Sequence, residues 1–185
     1  MASKLRQKLI SEIKTYHSDF AAEEAYKMRF LDLLRHEHCF DRSLLSGHIT
    51  ASAWIINHEC TAVILLHHAK LNKWLQPGGH ADGEEDVRKV ALKEAEEETG
   101  IKGFEFIQPE IFDLDIHTIP ERKEVAEHEH FDIRFLLKAP KGAEPLANHE
   151  SNSVEWVPLQ KLPSMIANEG SLIRMYAKSE KFLAV

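Results

Sequence analysis

The sequence predicts an α/β protein: a mixed sheet packed between helices, forming one main domain over residues 46–185, with a helical extension over residues 1–45 in front of it. Three observations predict it. Apolar residues recur at helical spacing through about the first 36 positions. From His48 the pattern changes to short apolar runs of strand length. A helical segment from about Glu85 to Thr99 separates two groups of those runs. A chain of 185 residues can bury one substantial core, whereas two full-sized domains would be tight.

In the extension, Leu5, Leu9, Ile10 and Ile13 mark one helix and the apolar positions from Phe20 to Leu34 a second. Polar His17, Ser18 and Asp19 lie between them, and Ser18 or Asp19 is expected to cap the second helix. HITASAWIIN and TAVILLHH then read as neighbouring strands joined by a polar turn, and KLNKWLQPGG as an extended turn ending in glycines. The segment 85–99 is helical with Gly100 just beyond its end, and Asp82, Gly83 and Glu84 compete for its start. IKGFEFIQPEIFDLDIHTI and HEHFDIRFLLKA read as strands around a polar connection near Pro120 to Glu127. SVEWVPLQKL leads into a last helix from about Pro163 to Lys178.

Composition narrows the class. The chain is 43% hydrophobic, and no apolar run reaches the length that spans a bilayer, so it reads as a soluble protein with no membrane partner. The opening residues lack the apolar block and cleavage signal of a secretory peptide, and Cys39 and Cys60 read as reduced thiols; a cytoplasmic location is expected. A net charge of -7 disfavours an extended nucleic-acid surface, which needs a basic stripe, but permits a small phosphorylated substrate. Within residues 79–101, eight acids face three bases, which concentrates the negative charge in one short segment.

That segment carries the chemistry. Glu94, Glu97 and Glu98 are three and four residues apart, so one helical surface presents all three. Like charges so placed repel unless a cation sits among them, and carboxylate oxygens favour hard ions such as Mg²⁺, which also bridge to phosphate. Val87, Val90, Ala91 and Ala95 give the same helix an apolar side of mostly small residues that can approach a sheet closely. Glu96, between the acidic positions, reads as a solvated side chain. Ahead of the helix, Pro77, Gly78, Gly79 and Gly83 permit a sharply turned loop whose backbone can come close to a ligand.

The string GHADGEEDVRKVALKEAEEETGI resembles the box of the Nudix hydrolase family, with Gly79, Glu85, Glu94, Glu97, Glu98, Gly100 and Ile101 in register. Lys93 stands where the family has arginine, and Ala95 where a larger aliphatic is common. The resemblance implies a Nudix-type sheet from about His48 to Lys178, with the first 40 residues outside it. It implies that Glu94, Glu97 and Glu98, with the backbone of Gly78 or Gly79, hold Mg²⁺, with Mn²⁺ as a substitute. It also implies that Glu85 fixes the loop by pairing with Lys93, more weakly than with an arginine because lysine lacks the two-pronged donor. The implied reaction is Mg²⁺-dependent cleavage of the pyrophosphate linkage in a nucleoside diphosphate joined to another group, with Glu97 or Glu98 accepting a proton from water. A nucleotide-sensing or partner-binding protein on the same fold, without turnover, is the alternative; the helical extension is a candidate either for covering the cleft or for forming a homodimer surface.

Outside the box, His128, His130 and Asp132 alternate along a strand, and His117 lies on the preceding one. They are candidates for a second metal site, for handling substrate or protons, or for hydrogen-bonded structural roles. His67, His68 and His80 are candidates for the border of the same cleft, and Glu121, Glu124, Glu127 and Glu129 for an extra carboxylate. Trp74, Phe112 and Phe131 are candidates for stacking on a base, against core packing for each; Trp54 and Trp156 read as core. The TASAW segment makes Thr50 and Ser52 candidates for a position near a ligand, and nothing in that string selects one.

Overall fold

The computed structural model describes residues 2–69, 71–121, 125–149 and 151–183. Helices α1 (Lys4–Thr15) and α2 (Ala21–Leu33) lead into β1 (His48–Ile56), β2 (Ala62–His68), β3 (Lys73–Leu75) and β4 (Gly78–His80). Helix α3 (Val87–Thr99) follows, then β5 (Glu105–Phe106), β6 (Asp113–Ile119), β7 (His128–Lys138), β8 (Ser151–Pro158), α4 (Leu162–Met165) and α5 (Gly170–Ser179). Among the described residues the strands form one mixed sheet. Strand β1 runs parallel to β7, with His48 opposite His130 and Thr50 opposite Asp132, while the other pairings are antiparallel.

All nine residues of β1 are buried, because helices cover both faces of the sheet. On one face Ile49 and Ala51 join Phe131, Ile133 and Phe135 of β7 against Val87, Val90 and Ala91 of α3. Leu9, Ile13 and Phe30 from α1 and α2 belong to that same cluster, so the extension completes a wall of the core. On the other face Trp54 and Leu136 pack with Leu172 and Met175 of α5, and the Trp54 indole N–H donates to Ser179 Oγ at 3.1 Å.

Four local readings are corrected. Helix α3 starts at Val87, and its cap is Asp86, whose carboxylate accepts the Arg88 and Lys89 N–H groups; the acids 82–85 belong to the turn before it. The KLNKWLQPGG segment contains the short strand β3 and the first two residues of β4. The last helix is split into α4 and α5, with the weak helix formers Asn168 and Gly170 at the break. Neither Ser18 nor Asp19 caps α2: its cap residue is Phe20, and the Ser18 hydroxyl instead accepts the Phe20 N–H and donates to the buried Glu23 carboxylate.

Candidate active site

Strand β4 lies between β1 and α3. Gly78 pairs with Ser52 and Gly79 with Ala51, and the Gly78 N–H donates to Glu98 Oε2 at 2.8 Å. Glu98 is buried, and Glu94 is turned the same way: a Cβ built on Gly79 would sit 2.5 Å from Glu94 Oε2. Only glycine lets that carboxylate press on the loop. The Glu97 side chain is 57% exposed, so the trio divides into two carboxylates held against the loop and one open to solvent. Gly100 ends α3 with φ 69, a left-handed turn that glycine adopts without a Cβ clash. Glu96 is half-buried, and its carboxylate accepts the Gly103 N–H, which departs from a merely solvated side chain.

Glu85 does not pair with Lys93. Lys93 Nζ lies 3.1 Å from Glu94 and 3.2 Å from Glu97, the acids nearest on its own helix. The partner of Glu85 is Arg6 of α1, whose Nη2 donates to Glu85 Oε1 at 2.7 Å, while the Ser3 hydroxyl takes the other oxygen. Arg6 also donates to the His36 carbonyl at 3.1 Å and the Glu37 carbonyl at 2.9 Å, and its guanidinium lies over the Phe40 ring. A second clamp joins the same loop to the segment before β1, where Arg42 holds Asp82 with two nitrogens and keeps its carboxyl below the usual range.

The polar residues of β1, β6 and β7 stack in rows on the sheet face opposite α3. Asp132 is buried and accepts from Thr50 at 3.1 Å, from Ser52 at 2.7 Å and from Arg134 at 2.7 Å, which spends its oxygens on protein donors. Arg134 also reaches Asp113 and Asp115, and Arg174 of α5 joins both from above. For Asp113 and Asp115, burial raises the carboxyl pKa, but the arginines outweigh it and hold both well below the ordinary carboxylate range. Gln76 points its amide toward Ser52 and Asp132 at 3.3 and 3.4 Å.

His128 and His130 meet His48 of β1, His80 of β4 and His117 of β6 at the end of this face. Asp132 lies two residues along with its own partners, so it does not belong to that group of rings. Burial pushes His80 down to about 4 and lowers His48 as well, keeping both rings neutral. His67 stands apart, beside Trp74 and Asn152, and His68 Nδ1 accepts the Leu71 N–H. Glu129 pairs with Arg29, Glu121 and Glu127 are exposed on the connecting segment, and Glu124 lies outside the described residues. Phe112 and Phe131 are buried in the core, which removes them as base-stacking groups; Trp74 and Trp156 are half-buried. Sequence reasoning missed Arg6, His48 and Arg134, whose partners are distant in the chain and become visible only through the strand register and the packing of α1.

A NUDIX domain model matches residues 47–178. A probable DHNTP pyrophosphohydrolase of Lactococcus lactis subsp. cremoris is 27% identical over 137 residues, which is 72% of this chain and 80% of that protein. The crystal structure of a NUDIX-family hydrolase from Clostridium perfringens superposes with a TM-score of 0.56 at 22% identity, covering 73% of this chain and 97% of that one. The MutT protein of Methanosarcina mazei Go1 gives a TM-score of 0.56 at 19% identity, over 75% and 96% of the two chains. With the family model spanning well over half of its length, and the box in register on α3, the chain belongs to the Nudix hydrolase family and is a hydrolase of phosphoanhydrides.

Proposed function

We propose that the protein hydrolyses the pyrophosphate linkage of a nucleoside diphosphate joined to another group, using Mg²⁺ held by Glu94, Glu97, Glu98 and the backbone of Gly78. The observation that carries this reading is the seating of Glu94 and Glu98 against the Gly78–Gly79 strand. These donors fit the ion: hard carboxylate oxygens on one helix surface, beside a loop that only glycine lets them approach. When bound, the ion supplies positive charge to the phosphate oxygens and eases attack by water. The chain does the rest. The Gly78 N–H fixes the Glu98 carboxylate at the base of the loop. Glu97, open to solvent, accepts the proton of the attacking water. Lys93 offsets the repulsion between Glu94 and Glu97, and Trp74 is the aromatic we assign to base recognition.

The reading is tested with the full chain in a screen over nucleoside triphosphates, ADP-ribose, nucleotide sugars, dinucleoside polyphosphates and DHNTP, with products identified by mass and Mg²⁺ or Mn²⁺ supplied. DHNTP is included because of the name of the Lactococcus relative. Glu98→Gln, with the fold intact by circular dichroism, is expected to slow Mg²⁺-dependent cleavage by about 10²- to 10⁴-fold. Near-normal turnover would overturn the role of Glu98. Tight nucleotide binding without product in the native chain would replace the reading with that of a nucleotide sensor.

A further inference from the structure

Five imidazoles meet where β1 and β7 begin side by side. The His48 ring lies 5.0 Å from His130, 5.1 Å from His128 and 5.1 Å from His80, and His130 lies 5.4 Å from His117, measured between ring centres. His48 is 2% exposed, and neither of its ring nitrogens has a hydrogen-bond partner among the described residues; His130 Nε2 has none either. Leaving a buried polar group unpaired destabilises the folded chain, and an apolar side chain at position 48 would avoid that penalty. The ring nitrogens therefore call for a ligand. His128 is already oriented for one: its Nδ1–H donates to the Ala126 carbonyl at 2.9 Å, which sets the tautomer and leaves Nε2 as a lone-pair donor.

We propose that His48, His128 and His130 form a three-histidine site for a zinc-type transition-metal dication, distinct from the carboxylate site on α3. One nitrogen from each ring already lies within 4.8 Å of the other two. Tetrahedral zinc with Zn–N bonds of 2.0–2.1 Å brings its ligands to roughly 3.3 Å from one another, so the rings need only small inward rotations. At His48 no more than a loose contact with the Leu44 backbone, outside hydrogen-bond geometry, opposes that movement. Neutral imidazole suits zinc and its neighbours in the transition series, whereas Mg²⁺ prefers the oxygens of α3. Strand β4 divides the two sites. Gly79 faces Glu94, and the next residue, His80, points to the opposite side, among the histidines. Three protein ligands leave a fourth position for water or a substrate oxygen, with His80 and His117 on its border.

The test uses the full chain, stripped with chelator and titrated with Co²⁺ or Zn²⁺ alone. Native protein is expected to bind one Co²⁺ with the intense visible bands of a four-coordinate ion, and Zn²⁺ is expected to displace it. His128→Gln should weaken this binding by more than about 100-fold, beyond the loss expected when only a supporting partner is removed. Glu94→Gln/Glu98→Gln should retain the bands, so failure of the histidine site and failure of the carboxylate site read out separately. The zinc absorption edge of the native protein, which needs no variant to fold, should show three imidazoles. Fewer than three, a six-coordinate Co²⁺ spectrum, or binding abolished by the glutamate pair but not by His128→Gln would overturn the proposal.

Discussion

Replacing Arg6 with alanine should loosen the loop in front of α3, although Arg6 lies 79 residues from its partner in the chain. The guanidinium makes an ion pair with Glu85 at 2.7 Å, with side-chain exposures of 11% and 20%, and two bonds to the His36 and Glu37 carbonyls. A partly solvated ion pair contributes about 1 kcal/mol, each carbonyl bond about 0.5–1 kcal/mol, and the contact over Phe40 about 0.5 kcal/mol. The total is about 2.5–3.5 kcal/mol, or about 5–14 °C in Tm for a chain of this length. The assay is a double-mutant cycle by urea unfolding on Arg6→Ala, Glu85→Ala and the pair. A coupling energy of about 1 kcal/mol is expected. A parallel cycle between Lys93 and Glu85 should be additive within about 0.3–0.5 kcal/mol. Additive Arg6 and Glu85 effects, or stronger coupling of Glu85 to Lys93, would mean that Arg6 does not hold this loop.

Gly79→Ala is expected to fold, because the added Cβ meets the end of the flexible Glu94 side chain, yet to lose about 100-fold in Mg²⁺-dependent turnover as that carboxylate is pushed off the loop; unchanged kcat counts against the seating of Glu94. Arg134→Met removes the cation shared by Asp113, Asp115 and Asp132 and should cost about 3–5 kcal/mol by urea unfolding, since it leaves buried carboxylates short of a partner. The acid limb follows from the same network. The Asp113 and Asp115 pKa values are depressed in the folded state, so their contribution is complete above about pH 4 and is lost as pH falls below it, by about 1.4 kcal/mol per pH unit for each group. Unfolding free energies measured from pH 6 down to pH 2 should fall mainly below pH 4, and a flat profile there would exclude this source.

How much could be read from the chain follows sequence distance. Glu94, Glu97, Glu98 and Gly100 occupy one helix and its terminus, so local periodicity places them relative to one another without any knowledge of the fold. The alternation of His128 and His130 was legible for the same reason, because strand neighbours two apart share a face. His48 was not, since its place beside His130 depends on the register of β1 with β7; His80 was legible only as a candidate at the border of the cleft, because its position opposite Thr50 depends on the pairing of β1 with β4. The expected partner of Glu85 failed for a physical reason: Lys93 satisfies its charge on adjacent acids of its own helix, while α1 brings in a planar guanidinium from outside the box. Strands β3 and β4, three residues each, are too short to leave a period, and pairing alone defines them.

Glu23 of α2 has a consequence for how the polypeptide behaves as material. Its carboxylate, 0% exposed, takes the Leu114 N–H of β6 at 3.0 Å, so a side chain fills a bonding position that another backbone would otherwise seek. A shortened polypeptide starting near residue 47 would lose that stopper together with Leu9, Ile13 and Phe30. It would present a bare, apolar-backed ribbon margin, the kind of template on which identical molecules add to one another and precipitate.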